Sequence, residues 1–410
     1  MKNIRRAERI VIKKSHPKYK IIDEMCFRSK NLYNEALYVI RQEFFKTGKY
    51  IPYRKMNFEF KTHENYKSCL SQPANCTLRS IDKAWKSYFS AIKDWKVHPD
   101  KYLGMPKIPK YLPKDGRYPW MIPNNSVIYI PEKNEIYFRM KLLNDFRWFS
   151  KCLGRLIQVR FVPKGTCYVM EIVYEVDNPD VKCESDRIAA IDIGVNNLIT
   201  MSNNIGLSPI IVNGKIIKSI NQHYNKRIAV LKSSTMKRNG LSWSKQMSLI
   251  SFKRSCRIRN YLHNTSAYVV KWCLSNSVDT LVVGRNKRWK QGANRMQNFS
   301  CIPYGELIDQ LKYKCENNGI RFVEVTEEYT SGTSYLDGEI PCKENYDISR
   351  RISRGLFQAG SVLINADVNA SLQIMRKVFP NSFTGYGIEV DLTPVIINAV
   401  ARFMTNRKCE

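Results

Sequence analysis

Acidic residues are scarce in this chain of 410 residues, and from residue 193 to residue 305 there is only one, Asp279. Lys and Arg number 67 against 36 Asp and Glu, a formal net charge of +31. Positive charge on that scale points to a polyanion such as nucleic acid rather than to a small-molecule substrate. Long apolar runs are also missing. No stretch reaches the ~18 residues that a membrane span needs, so no membrane partner is expected. The leading MKNIRRAERIVIKK is basic but has no unbroken apolar core of the signal-peptide kind, and the expected location is cytoplasmic. The 12 cysteines never form a CxxC or CxxxC pair. That spacing disfavours a zinc ribbon and points to free, mostly buried thiols in a reducing compartment. Repeats and low-complexity tracts are absent. What is present is 43% apolar and 11% aromatic residues, enough to build cores and to exclude disorder. The length suits about two to three domains.

The texture changes along the chain. Residues 4–14 alternate (Ile4, Ala7, Ile10, Ile12) as a basic strand. Residues 18–96 read as helices, with Tyr33, Leu37 and Ile40 on one face, and Ile81, Trp85, Tyr88 and Ile92 on another. A Pro- and aromatic-rich link spans 98–124. Short strands return over 126–177, suggesting a small β-barrel whose first strand is the N-terminal one. From about 186, two hairpin-like strands and a third precede a basic helical stretch of about 216–276. Strand, helix (Leu307, Leu311 and Tyr313 inward), strand and helix then follow, and Asn365 is a plausible cap for the last. Strands alternating with helices argue for an α/β layer fold, and the hairpin opening fits an RNase H-like sheet.

Two aspartates stand out. Asp192 ends the apolar run Ile188-Ala189-Ala190-Ile191, where a carboxylate is costly to bury without compensation. It is either a turn residue or a metal ligand. A phosphate-cradling ATPase turn would need a second Gly-rich loop, and none is found. Asp367 opens the last strong helix; it either complements the helix dipole or ligates a metal. A two-metal phosphodiester site needs three or four carboxylates from separate elements. Beyond Asp279 acids resume at Glu306, and Glu324, Glu327 and Glu328 follow in RFVEVTEE. Strand alternation puts Glu327 on the face of Val323 and Val325, with Glu324 and Glu328 opposite. Glu327 is either a strand-end surface residue or the third ligand. Segment 214–260 holds 12 Lys/Arg and no acid. Solvated helix faces usually mix signs, so this segment reads as a phosphate-binding insert, with Lys226, Arg227, Lys237, Arg238, Arg254, Arg257 and Arg259 as contacts. Trp243, His223 and Tyr224 either stack on a ligand or pack.

Several motifs occur in one order: DKAWKSYFSAIKDW with YLGMPKIPKYLPKDGRY, AAIDIGVNNLIT, VVGRNKRWKQ, QNFSCIPYGELIDQLKYKCENNGI, EEYTSGTSYLD and GSVLINADVNASLQIMRK. In this order they resemble the TnpB family, transposon-encoded proteins ancestral to type V CRISPR effectors, over essentially the whole chain. The resemblance implies an RNase H-like RuvC nuclease domain, 186–410, with the basic insert at about 214–276 and a degenerate zinc-finger-like loop at about 330–360. It implies a wedge β-barrel from 1–17 and 98–185, with a helical recognition domain inserted at 18–97. It also implies an RNA-guided DNA endonuclease of a mobile element in a prokaryotic cytoplasm, acting at the nucleoid. The partners are a guide RNA and double-stranded DNA bearing a short flanking motif, and the cofactor is two Mg²⁺ ions.

On this resemblance Asp192 and Asp367 carry over as metal ligands. Two departures stand out. Most members have Glu where this chain has Gly284, and some instead place it before the YTS motif, which selects Glu327, with Glu328 as the neighbour to test. The usual cysteine pairs are missing from 332–345, so no structural zinc is expected and the loop should be held by packing. Asn75, Thr77 and Arg79 are candidates for contact with the flanking DNA. The competing reading is a nuclease-inactive, RNA-guided transcriptional repressor, favoured by Gly284 and disfavoured by the retained Asp192, Glu327 and Asp367.

Overall fold

The computed structural model describes residues 4–150, 152, 154–177, 186–286, 302–382 and 392–399. Residues 287–301, which carry part of the family resemblance, and residues 178–185 lie outside the described residues. The chain divides into two compact units, Met1–Asp177 and Asn178–Glu410.

In the first unit, β1 (Ile4–Ile12) is followed by helices α1 (Tyr19–Thr47), α2 (Tyr53–Phe60), α3 (Glu64–Ser68) and α4 (Ser71–Val97). Short strands follow: β2 (Trp120–Pro123), β3 (Val127–Ile130), β4 (Glu135–Phe138), β5 (Arg147–Phe149), β6 (Arg155–Pro163) and β7 (Tyr168–Val176). β1 pairs antiparallel with β7, from Ile4 beside Val176 to Ile12 beside Tyr168. The sheet order is β1-β7-β6-β2, and β3-β4-β5 form a second sheet. Ile122, Ile136, Phe138, Phe161 and Ile172 from the strands share one core with Ile22 and Met25 of α1. On the other side of β7, Glu171 and Glu175 are nearly buried between guanidinium groups. Arg9 and Arg160 hold the first, Arg5 and Arg155 the second. Cross-strand pairing thus neutralises two acids that a central strand could not otherwise carry.

The apolar spacing of α1 continues through Leu32, Tyr33, Ala36, Leu37 and Ile40, which pack on Leu78, Ile81 and Trp85 of α4 in a second core. Gly48, with φ 70°, ends α1, its N–H donating to the Phe44 carbonyl. Trp85 is fully buried among Phe44, Tyr50, Tyr88 and Phe89. Trp85→Ala is expected to destabilise this unit by about 3–5 kcal/mol, read as a lower denaturant midpoint.

The second unit contains β8 (Ile188–Asp192), β9 (Asn197–Asn203), β10 (Ile210–Asn213), α5 (Lys215–Asn239), α6 (Lys245–Ser275) and β11 (Thr280–Arg285). α7 (Tyr304–Asn317), β12 (Arg321–Thr326), β13 (Leu356–Ala359), β14 (Val362–Asn365), α8 (Ala366–Val378) and β15 (Val395–Ile397) follow. The six-stranded sheet has the order β12-β11-β8-β9-β10-β15. β8 and β9 form the antiparallel hairpin expected from sequence, while β8, β11 and β12 run parallel.

Side-chain alternation divides the layers. Ala189, Ile191, Leu281 and Val283 pack with α6 and α7. Ile188, Ala190 and Val282 pack with Ile374 and Met375 of α8, with Val323 and Val325 against them. Tyr313, expected inward on α7, is half-buried; Ile308 and Cys315 complete that helix's buried face with Leu307 and Leu311. The basic stretch is two helices, not one: α5 ends at Gly240, φ 64°, and α6 starts at Ser244, whose hydroxyl accepts from the Met247 N–H.

Candidate active site

Asp192 ends β8 with the parity of Ile188 and Ala190, so its carboxylate lies on the α8 face of the sheet. Glu327 follows the last residue of β12 with the parity of Val323 and Val325, on that same face. The chain turns at once: the Glu327 carbonyl accepts from the Thr330 N–H at 3.3 Å and its hydroxyl at 2.9 Å, and Tyr329 adopts φ 67°. A bulky aromatic residue in the left-handed region is a strained conformation, held here by that turn. Asp367 lies in the first turn of α8, where Asn365 caps the helix by accepting from the Asp367 and Val368 N–H groups.

The electrostatics tie these three groups together. Burial, and then the charge of Asp367, push the Asp192 carboxyl well above the usual carboxylate range, against the pull of the Arg351 guanidinium. Burial, and then the charge of Asp192, raise Glu327 in the same direction. Glu327 Oε1 is buried with no hydrogen-bond partner. Asp367 is engaged on both oxygens, by Asn197 Nδ2 at 2.7 Å and Arg351 Nη2 at 3.1 Å. Among the described residues, no three His, Cys, Asp or Glu side chains are already gathered as a metal cage. The donor set nevertheless fits a hard divalent cation. It is all carboxylate oxygen, its members repel one another, and the orphaned Oε1 lacks the partner that a cation would supply. Glu328, the neighbour of Glu327, is exposed, and its carbonyl accepts from Lys377 Nζ at 3.0 Å.

Arg351 and Asn197 carried no prior signal as site residues. Asn197 sits in the AAIDIGVNNLIT motif, but nothing in its spacing shows that it meets Asp367, 170 positions away. The 332–345 loop is tied to α8 by polar bonds as well as packing. Tyr335 N–H donates to Asn369 Oδ1 at 2.9 Å, and Arg376 donates to the Tyr335 carbonyl at 3.0 Å.

The expected nucleic-acid residues separate into groups. Lys226, Arg227, Lys237, Arg238 and Arg257 are exposed on α5 and α6. Arg254 is half-buried, donating to Asn221 Oδ1 at 2.6 Å and stacking on Tyr224; Arg259 pairs with Glu306. These two therefore brace the helices. His223 is exposed, and Trp243 retains 49% exposure. On α4, Arg79 is exposed over the Tyr53 ring, and Asn75 accepts from the Tyr66 hydroxyl. Thr77 is a correction: it is fully buried, and its hydroxyl donates to the Pro73 carbonyl. Helical periodicity places it with Ala74, Leu78 and Ile81 on the core face, so it cannot contact DNA.

A mixed sheet with helices on both faces and carboxylates at the ends of its parallel strands defines an RNase H-like α/β protein of the RuvC kind. Residues 171–290 match the family model described as probable transposase OrfB_IS605, and residues 304–374 match the Cas12f1-like TNB domain. The TnpB-like protein ORF457 of Acidianus two-tailed virus is 25% identical over 393 residues, spanning 85% of this chain and 81% of that protein. The fold is similar to that of the Cas12f1 chain in a cryo-EM structure of a Cas12f1-sgRNA-target DNA complex. The identity is 15%, the TM-score 0.57, and the likeness covers 87% of this chain and 82% of that one. Together these matches support a member of the TnpB family.

The raised carboxyls have a stability consequence. Without metal, the folded site retains protons that the unfolded chain releases near pH ~4. Stability is therefore lost as pH climbs from there through the raised folded values. In EDTA, melting temperature should fall between pH ~5 and ~8 in the parent, and Glu327→Gln should flatten that slope, at up to ~1.4 kcal/mol per proton and pH unit. Parallel slopes in the two proteins, measured by scanning fluorimetry, would contradict the burial of this group.

Proposed function

We propose that the chain is an RNA-guided DNA endonuclease of a transposable element. A bound guide RNA pairs with target DNA beside a short flanking motif, and the acidic site hydrolyses the phosphodiester. The observation that carries this reading is Glu327: a half-buried side chain whose buried Oε1 has no partner, on the sheet face of Asp192, with its carboxyl pushed up by burial and then by the Asp192 charge. Two Mg²⁺ ions held by Asp192, Glu327 and Asp367 would supply an activated water and neutralise charge on the leaving oxygen.

The chain's own residues set up that site. Asp192 and Glu327 come from strand ends and Asp367 from a helix start, so each carboxylate has independent backbone support. Asn197 fixes one oxygen of Asp367, while Arg351 balances charge on the other. The exposed cations of α5 and α6 supply contacts to phosphate that carry no base preference, leaving sequence choice to the guide. In this reading residues 1–17 and 98–185 form the wedge, and 18–97 the recognition helices, whose Asn75 and Arg79 meet the flanking DNA. Residues 186–410 are the nuclease.

The test is cleavage of a target plasmid library in Mg²⁺ by protein purified with its co-expressed RNA. Asp192→Ala, Glu327→Ala and Asp367→Ala should each slow cleavage at least ~100-fold, while Glu328→Ala should cut like the parent. Guide-dependent binding without cutting by the parent would make the protein a nuclease-inactive repressor instead. If α5 grips phosphate, Lys237→Glu with Arg238→Glu should weaken RNA binding and lower the slope of log affinity against log salt by about 1–2. An unchanged slope in a filter-binding series would remove these residues from the interface.

A further inference from the structure

Gly284 lies on the middle of the three parallel strands. Val283 of β11 stands beside Ile191 of β8, so the next residues along the ladder are Gly284 and Asp192. On its other side Gly284 pairs with Val325 of β12. Glu327 therefore starts two strands away from Asp192, roughly 10 Å across the sheet. Its side chain lies over Gly284, at the point where β11 has no side chain of its own, and feels the charge of Asp192.

The space there is already filled. A Cβ on Gly284 would stand 2.9 Å from Glu327 Cγ, 3.1 Å from its Oε1 and 2.5 Å from Ile374 Cδ1. Gly284 does not have a positive φ, so the backbone conformation makes no demand for glycine; the crowding does. Both obstructing groups are outer parts of side chains. An added methyl would push the Glu327 carboxylate aside without breaking the ladder.

We propose that Gly284 is a positioning residue: its missing side chain is the opening through which Glu327 enters the acidic site. This inference rests on the nuclease reading and goes beyond it by assigning a steric requirement to a residue with no functional group.

Two readouts test it: Mn²⁺ binding to the full chain, followed by electron paramagnetic resonance, and Mg²⁺-dependent cleavage by the RNA complex. Gly284→Ala should bind Mn²⁺ about 10-fold more weakly and cut about 10–100-fold more slowly, with parental circular dichroism and melting temperature. Gly284→Glu alone, which crowds two carboxylates together, should be impaired as well. The exchange variant Gly284→Glu with Glu327→Gly should recover both readouts to within a few-fold of the parent, whereas Glu327→Gly alone should not. A Gly284→Ala protein equal to the parent in both readouts overturns the proposal, as does an exchange variant no better than Glu327→Gly. A parent that neither binds Mn²⁺ nor cuts sinks the nuclease reading and this inference with it. A competent parent with an indifferent Gly284→Ala sinks only this inference.

Discussion

Like charges brought together on an apolar sheet face lose hydration and repel one another, and much of the second unit's arrangement answers that double cost. Asp192 and Glu327 sit beside residues chosen for close packing: Ala190, Val282, Val325 and Ile374. Burial and mutual repulsion disfavour the charged form of both, which a cation nearby would favour. Arg351 supplies one through Asp367 and lowers the Asp192 pKa, but the Glu327 oxygen remains without a partner. Asn365 and Asn197 fix Asp367 at the helix start, so the local backbone resists the repulsion as well. A site held this way has structure before any ion arrives, at a cost in stability that the surrounding core bears.

The first unit handles buried charge by the opposite means. Glu171 and Glu175 lie on the central strand of its sheet, yet each is matched by guanidinium groups on both flanking strands. Each acid has a guanidinium on both of its oxygens, so its charge is balanced by charge-assisted hydrogen bonds. The contrast separates an acid with built-in partners from one without them. Both kinds occupy strands, and both are poorly exposed; their difference lies in whether the partners are built into neighbouring strands.

Positive charge is also divided by context. The acid-free stretch forms a helical hairpin whose outer positions carry Lys226, Arg227, Lys237, Arg238 and Arg257. Arg254 and Arg259 belong to the same run but turn inward, to Asn221 with Tyr224 and to Glu306. Composition shows that the segment is cationic; the helical period and a partner on α7 decide which cations face solvent. Thr77 illustrates the same limit for polar residues, because a hydroxyl on the buried side of α4 bonds its own helix.

Much of the fold was legible in the chain. Approximate alternation predicted β1, apolar runs predicted β8 and β11, and spacing of three and four predicted the buried faces of α1 and α4, because these periods follow from local backbone geometry. Asp192 and Asp367 were also readable, since an acid ending an apolar strand and an acid opening a helix are local features. Glu327 was reachable from strand parity together with family resemblance. The sequence could not show that Asn197 and Arg351 meet Asp367, or that Glu327 passes over Gly284. Those relations depend on which strands become neighbours and in what register, and distant segments settle that only when they pack. By itself the sequence determined the elements, the layer class and the acids available for chemistry; the tertiary structure decided which acids share a face and how an unoccupied side-chain position lets one of them reach the others.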